Sequence, residues 1–223
     1  MAVNNLVDGR FQRSPSVALV RDLHAQHARL SETLVAILGS RSRLDAVAAR
    51  SYWHPNGFAK VVLDRRRRSG EVRLHIWPRH PHDEDIHGHA WKYESIVLAG
   101  ELTEAAYRES ESGEDDAMWR HSYRRVGAQQ FAFGAARAVH LTAVGVPSVH
   151  VVGDLSRRKH DHIHRFFASK TPAATLLRVG PSLSPTSSVY RRTAEPPPIR
   201  TPRPTSGDEL RQWLGFVADL VDG

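Results

Sequence analysis

The chain of 223 residues contains no cysteine. That excludes a disulfide framework and any thiolate metal site, so a bound metal would have to be held by nitrogen and oxygen. The sequence also lacks an apolar run long enough to span a bilayer and a recognisable signal peptide, and it opens on a polar stretch, Met-Ala-Val-Asn-Asn-Leu-Val-Asp. These absences predict a cytoplasmic protein with no membrane partner. No internal repeat is found. With 40% hydrophobic and 25% charged residues, the composition is that of an ordinary folded protein, long enough for one domain with appendages.

The net charge of +7 raises nucleic acid as a partner. Most of the positive charge is arginine scattered along the chain beside Asp or Glu. The densest run, Arg65 to Arg68, precedes Ser69-Gly70 between two strand-like segments, where it reads as a solvated hairpin loop. Base-reading or stacking groups are not gathered beside it, so no nucleic-acid partner is expected.

The chain changes texture along its length. Ser14-Pro15 is a helix start, and Val17, Val20, Leu23, His27, Leu30, Leu34, Ile37 and Leu38 then recur at helical spacing up to Gly39. A short second helix is expected over Leu44–Arg50, and Pro55-Asn56-Gly57 is a turn. From Phe58 to about Asp154 the pattern is β, with strands over Ala59–Leu63, Val72–Trp77, Glu94–Ala99, Leu102–Arg108, Trp119–Val126, Gln130–Phe133, Ala138–Ala143 and Ser148–Val152. Many short strands with frequent turn signals predict a mainly β sandwich or barrel. The acidic stretch Glu109–Asp116 reads as a hairpin tip. Residues 169–206, rich in Pro, Ser and Thr, read as an extended segment, more linker than core. Asp208–Asp222 is an amphipathic helix through Leu210, Trp213, Leu214, Phe216, Val217 and Leu220; it either packs on the body or meets a partner.

The chemistry concentrates in Asp85-Ile-His-Gly-His-Ala-Trp-Lys-Tyr-Glu94. His87 and His89, at i and i+2 on a strand, point to one face and can reach one ion. Imidazole with carboxylate and open positions is the donor set of non-haem iron, manganese or zinc sites. His140, in the β segment Ala138–Ala143, is either a core histidine or the third ligand, and the neighbouring pair favours the ligand. Glu94 has the opposite strand parity, so it joins only across a turn or bulge; otherwise it pairs with Lys92 or an arginine, or orients a ligand imidazole. Trp91 and Tyr93 line a pocket or pack in the core. In Lys159-His-Asp-His-Ile-His164 the histidines 160, 162 and 164 share a face if extended. The surrounding Arg157, Arg158, Lys159 and Arg165 disfavour a cation there, and these histidines read as surface or pocket-rim groups.

His-x-His, four residues, Glu, five residues and Gly, with a later strand histidine, resembles the two motifs of the cupin superfamily. The glutamate-to-glycine gap is one residue short, and no Pro-x-Gly precedes His140. A closer resemblance is to the cysteine dioxygenase branch. It is carried in order by Phe58–Asp64, Val72–Trp77, Ile86–His89, Leu98–Glu104, His140 and the Ser-x-His of Ser148 and His150. The resemblance implies a cupin-type β-barrel (a double-stranded β-helix) holding Fe(II) through His87, His89 and His140, with open positions for substrate and dioxygen. It places Lys60 where the family binds a substrate carboxylate, unless Lys60 merely caps its strand. Two departures, Glu94 in the place of cysteine or glycine and Val152 in the place of tyrosine, weigh against sulfur dioxygenation and leave metal binding standing.

The expectation is therefore N-terminal helices over residues 1–57, a metal-bearing barrel over 58–168, the extended segment over 169–206 and a C-terminal helix over 207–223. The function expected is an Fe(II) oxygenase of a small polar metabolite, thiol or amino-acid-like, with manganese, nickel or zinc accepted by the same donors. Its metal residues would be His87, His89, His140 and Glu94, and Lys60, Ser148, His150 and Tyr93 would act on the substrate. The alternatives are a non-oxidative cupin isomerase, lyase or hydrolase with Glu94 as base, and a non-catalytic ligand-sensing cupin. A homodimer is compatible with each.

Overall fold

The structure, a computed structural model, describes residues 23–66, 70–77, 85–110, 116–126, 130–168, 172–196 and 202–222. Two helices come first, α1 (Leu30–Leu38) and α2 (Arg41–Ala48). The strands β1 (Tyr52–His54), β2 (Phe58–Arg66), β3 (Gly70–Trp77), β4 (Ile86–Gly88), β5 (Trp91–Ala99), β6 (Leu102–Ser110) and β7 (Asp116–Val126) follow. Next are β8 (Gln130–Ala143), β9 (Ser148–His150), β10 (Leu155–Arg158), β11 (Ile163–Ala168), β12 (Ala173–Ser182), β13 (Ser187–Arg191) and β14 (Arg203–Pro204). Helix α3 (Gly207–Asp222) closes the described chain.

The strands form two antiparallel sheets, in the orders β10-β5-β12-β3-β2-β1-β14 and β11-β4-β13-β7-β8-β6-β9. In the second sheet β6 also pairs with β11, so that sheet curls back onto its own first strand. The mainly β fold expected from the sequence, with helices before it and one after, is what the chain forms.

Side-chain alternation decides what each face of the first sheet meets. Ala59, Val61 and Leu63 of β2, Leu74 and Ile76 of β3, Ile96 and Leu98 of β5, and Leu176 of β12 form one apolar face. It packs with Leu30, Leu34 and Leu44 of the first two helices and Leu210, Leu214 and Val217 of α3. The other face carries Lys60, Arg73, His75, Trp77, Tyr93, Thr175 and Leu177 into a cavity of about 700 Å³. Helices on one side thus free the other side for chemistry.

Capping sets the helix starts. The Ser40 hydroxyl accepts from the Arg43 amide, so α2 begins three residues before the expected Leu44. The Ser206 hydroxyl accepts from the Glu209 amide at 3.1 Å, and Asp208 and Glu209 occupy the first turn of α3. The expected helix start at Ser14-Pro15, the tip of the Arg65–Arg68 hairpin and the acidic tip at 111–115 lie outside the described residues.

One expectation is corrected. The segment read as linker supplies β12, between β5 and β3, and β13, between β4 and β7. Both are interior strands, with Ala173, Ala174, Leu176, Leu177 and Val179 buried in the first and Val189 and Tyr190 in the second. Pro181 and Pro185 stand at the end of β12 and in the turn after it, where a missing amide costs no ladder bond. The two strands expected over 130–143 are likewise one continuous strand, β8.

Candidate metal centre

His87 reaches the cavity from β4, a strand flanked by β13 and β11. The residue directly opposite it on β11 is His164, and directly opposed side chains in an antiparallel pair share a face. Their ring centroids are 4.7 Å apart. His89 lies just beyond β4, where the chain crosses to β5 in the other sheet, and its ring is 4.8 Å from that of His87. The crossing is fastened by the turn between β12 and β13. The Ala90 amide donates to the Ser187 hydroxyl at 3.2 Å, and the Leu183 amide donates to the Ala90 carbonyl at 2.7 Å.

The result is three imidazoles, His87, His89 and His164, each offering a ligating nitrogen within 4.8 Å of the others. Neighbouring acceptors fix two tautomers. His87 Nδ1–H donates to the Asp85 carbonyl at 2.9 Å, and His164 Nδ1–H donates to Glu104 Oε1 at 2.7 Å. Both rings therefore turn an Nε2 lone pair inward. His89 Nε2 stands 3.0 Å from His164 Nε2. Two nitrogens each about 2.1 Å from one ion, at roughly a right angle, are about 3.0 Å apart, so the spacing fits ligation without rearrangement.

Electrostatics point the same way. Burial holds the His89 ring well below the ordinary imidazole range, and nearby His87 and His164 add to the shift. Burial lowers His87 too, against the bond to the Asp85 carbonyl. Burial brings His164 down to about 3, although Glu104 pulls the other way. All three are neutral at pH 7, the state in which imidazole binds a metal.

Behind His164 is a buried carboxylate, Glu104, 4% exposed. It faces four donors. His164 gives it Nδ1–H, His162 Nε2–H at 2.9 Å, His150 Nε2–H at 3.0 Å, and Arg158 a two-pronged guanidinium contact. Burial pushes this carboxyl up, but the bonds from His162, His164 and Arg158 outweigh it and keep Glu104 well below the usual carboxylate range. A permanently ionised Glu104 keeps the His164 proton on Nδ1.

Three expected roles change. His140 is not in this group: it pairs with Ser110 of β6 and Ala117 of β7. Ser110 and Glu104 stand toward opposite ends of β6, about 20 Å apart along an extended strand. Glu94 shares the helix-packed face with Ile96, as its parity required; it faces Arg157 at 3.1 Å and is not among the cavity-lining residues. His164, read as a surface or rim group, is 1% exposed and stands third beside the pair.

Other expected residues fall as follows. Lys60 and Tyr93 line the cavity. Lys60 Nζ donates to the Tyr52 hydroxyl at 3.0 Å, and the Tyr93 hydroxyl is 3.4 Å from His164 Nε2. His150 acts on Glu104 and is absent from the cavity wall; Ser148 is exposed. Sequence reasoning missed Glu104 and Arg73. The His-x-His-x-His repeat ending at His164 was the available signal for the third imidazole, whereas Glu104 has no local signature.

No protein family and no curated protein matches the chain. Among solved structures, an oxalate oxidase is similar at 16% identity and a TM-score of 0.36, over 76% of this chain and 73% of that one. A hydroquinone 1,2-dioxygenase, in complex with Cd2+ and 4-hydroxybenzonitrile, is similar at 20% identity and a TM-score of 0.34, over 63% and 73%. The Drosophila melanogaster CENP-C cupin domain is similar at 10% identity and a TM-score of 0.35, over 75% and 100%. Likeness at this level sets no family for the chain.

Proposed function

We propose that the chain is a mononuclear metal-dependent enzyme on a cupin-type β-barrel, and that it uses Fe(II) for dioxygen chemistry on a small polar metabolite. The observation that carries this reading is the convergence of three neutral imidazoles, two with tautomers fixed by outer acceptors, on one wall of a large cavity. A neutral three-nitrogen set that leaves positions open suits a redox-active divalent ion, which when bound supplies a place for dioxygen and substrate side by side.

The chain's own groups do the rest. Lys60, 8% exposed, and Arg73, 7% exposed, set a positive field on the cavity floor and orient an acidic substrate. Glu104 holds the His164 ring in register. The Tyr93 hydroxyl, close to His164 Nε2, can donate to an oxygen atom of the reacting group. Phe58, Trp77 and Phe166 exclude water from that end.

The non-oxidative alternative assigned the base role to Glu94. With Glu94 on the helix-packed face, that reading loses its base. Purified without an affinity tag, the protein should carry stoichiometric metal, and Fe(II)-loaded protein should consume dioxygen when small acids, thiols and amino acids are offered. Metal-free protein, or metal content unchanged by His87→Ala, defeats the proposal.

A further inference from the structure

The exposed apolar surface of the chain is gathered in one place. Among the described residues nine large apolar side chains are exposed, and six of them fall between Val144 and Leu155. They are Val144, Val146, Val149, Val151, Val152 and Leu155, with Val146 86% exposed. Single exposed hydrophobes need no explanation, whereas a gathered set marks a surface that meets something.

The fold holds this face firmly. β9 is the last strand of one sheet and β10 the first of the other, so both sheet edges lie at the ends of one short connection. That connection is tied to β5: the Val97 amide donates to the Asp154 carbonyl at 3.1 Å, and the Gly153 amide donates to the Val97 carbonyl at 2.9 Å. Ahead of β9, the Val144 amide donates to the Ala106 carbonyl of β6 at 2.9 Å. His150 turns inward to Glu104, so alternation sends Val149 and Val151 outward. A face fixed in this way loses little freedom when it is covered.

Sheet edges are ordinarily protected by charge. β10 carries Arg157 and Arg158, but β9, Ser-Val-His, carries no Lys, Arg, Asp or Glu. Asp154 is the one charged residue between Ala143 and Leu155, and its carboxylate accepts from the Val151 amide at 2.9 Å. The stretch also has no Trp, Tyr, Lys or Arg, the residues that anchor a protein at a membrane surface. With a net charge of +7 the chain repels its own copies in general, yet at this face two copies can meet without opposing like charges. The six residues expose on the order of 500 Å², at the upper end of what a monomer leaves in water. Each partner of a standard interface gives about 800 Å², so this apolar centre with its rim is enough for a dimer.

We propose that this face joins two copies of the chain in a two-fold dimer, with the β9 edge of one copy against the β9 edge of the other. Two-fold association uses the same patch on both sides, so each exposed valine is covered twice over.

The test is the solution mass of the full, tag-free chain, measured by sedimentation over a range of concentrations. The unaltered chain should have twice the mass of one copy and dissociate on dilution. Val146→Glu and Val149→Glu should each raise the dissociation constant about 100-fold or more, because the two-fold brings a second copy of each charge into the same apolar face. Val35→Glu, at an exposed position of α1, should leave the mass unchanged. A monomer at every concentration would leave the face to a different partner and overturn the proposal without any variant. A dimer that both β9-face substitutions leave intact, or one that Val35→Glu breaks, would overturn it as well.

Discussion

At the residue scale, the centre depends on which imidazoles face one another. The nearness of His87 and His89 was legible from their i, i+2 spacing, although only His87 lies on a strand and His89 falls where the chain leaves β4. The third was not, because His140 and His164 look alike in a sequence and only strand pairing separates them. The basic neighbours of His164 argued against a cation, but three of the four are committed elsewhere. Arg157 faces Glu94, Arg158 faces Glu104, and Arg165 lies over the Phe167 ring at 4.3 Å. Glu104→Gln tests the arrangement: it keeps the shape but removes the charge that holds the His164 proton on Nδ1. Metal affinity should fall about 10- to 100-fold, the usual cost of losing such an outer partner, measured by competition with a chromogenic chelator. Glu94→Gln, on the other face, should leave that affinity unchanged.

At the scale of elements, the sequence showed the β-rich middle and α3 but not β12 and β13. Their Pro and Ser content suggested a linker, whereas the prolines fall at a strand end and a turn, leaving Thr175-Leu-Leu-Arg-Val179 to alternate between helices and cavity. Leu176 is fully buried in the helix-facing core. Leu176→Ala should cost about 2–5 kcal/mol in urea unfolding, the range for a buried leucine; a cost below about 1 kcal/mol would return the segment to linker status. Helix α3 belongs to the same core through Leu210 and Leu214, both fully buried. Truncation before Gly207 should therefore lower the unfolding midpoint of the whole chain, and a truncated chain as stable as the full one would contradict that packing.

At the scale of the whole molecule, the concentration of buried neutral histidines sets an acid limit. Burial is the main cause holding His54, His75, His87, His89 and His164 below the ordinary imidazole value. Below about pH 6.5 the unfolded chain takes up protons that the folded chain refuses, so stability is full above that pH and falls as pH drops. Each such proton contributes a slope of about 1.4 kcal/mol per pH unit. Glu104, also lowered, adds loss in the same direction at more acid pH. The urea midpoint should be flat from pH 8 to 7 and drop clearly by pH 5, and added metal should delay the drop. A midpoint constant from pH 7 to 5 would mean these rings are not buried neutral.

The central claim, that His87, His89 and His164 hold one metal while His140 stands apart, is tested most directly by metal content. Tag-free protein, His164→Ala and His140→Ala are each measured by elemental analysis after gel filtration. The proposal predicts stoichiometric metal in the unaltered chain and in His140→Ala, and its loss in His164→Ala. Metal retained in His164→Ala and lost in His140→Ala would contradict it.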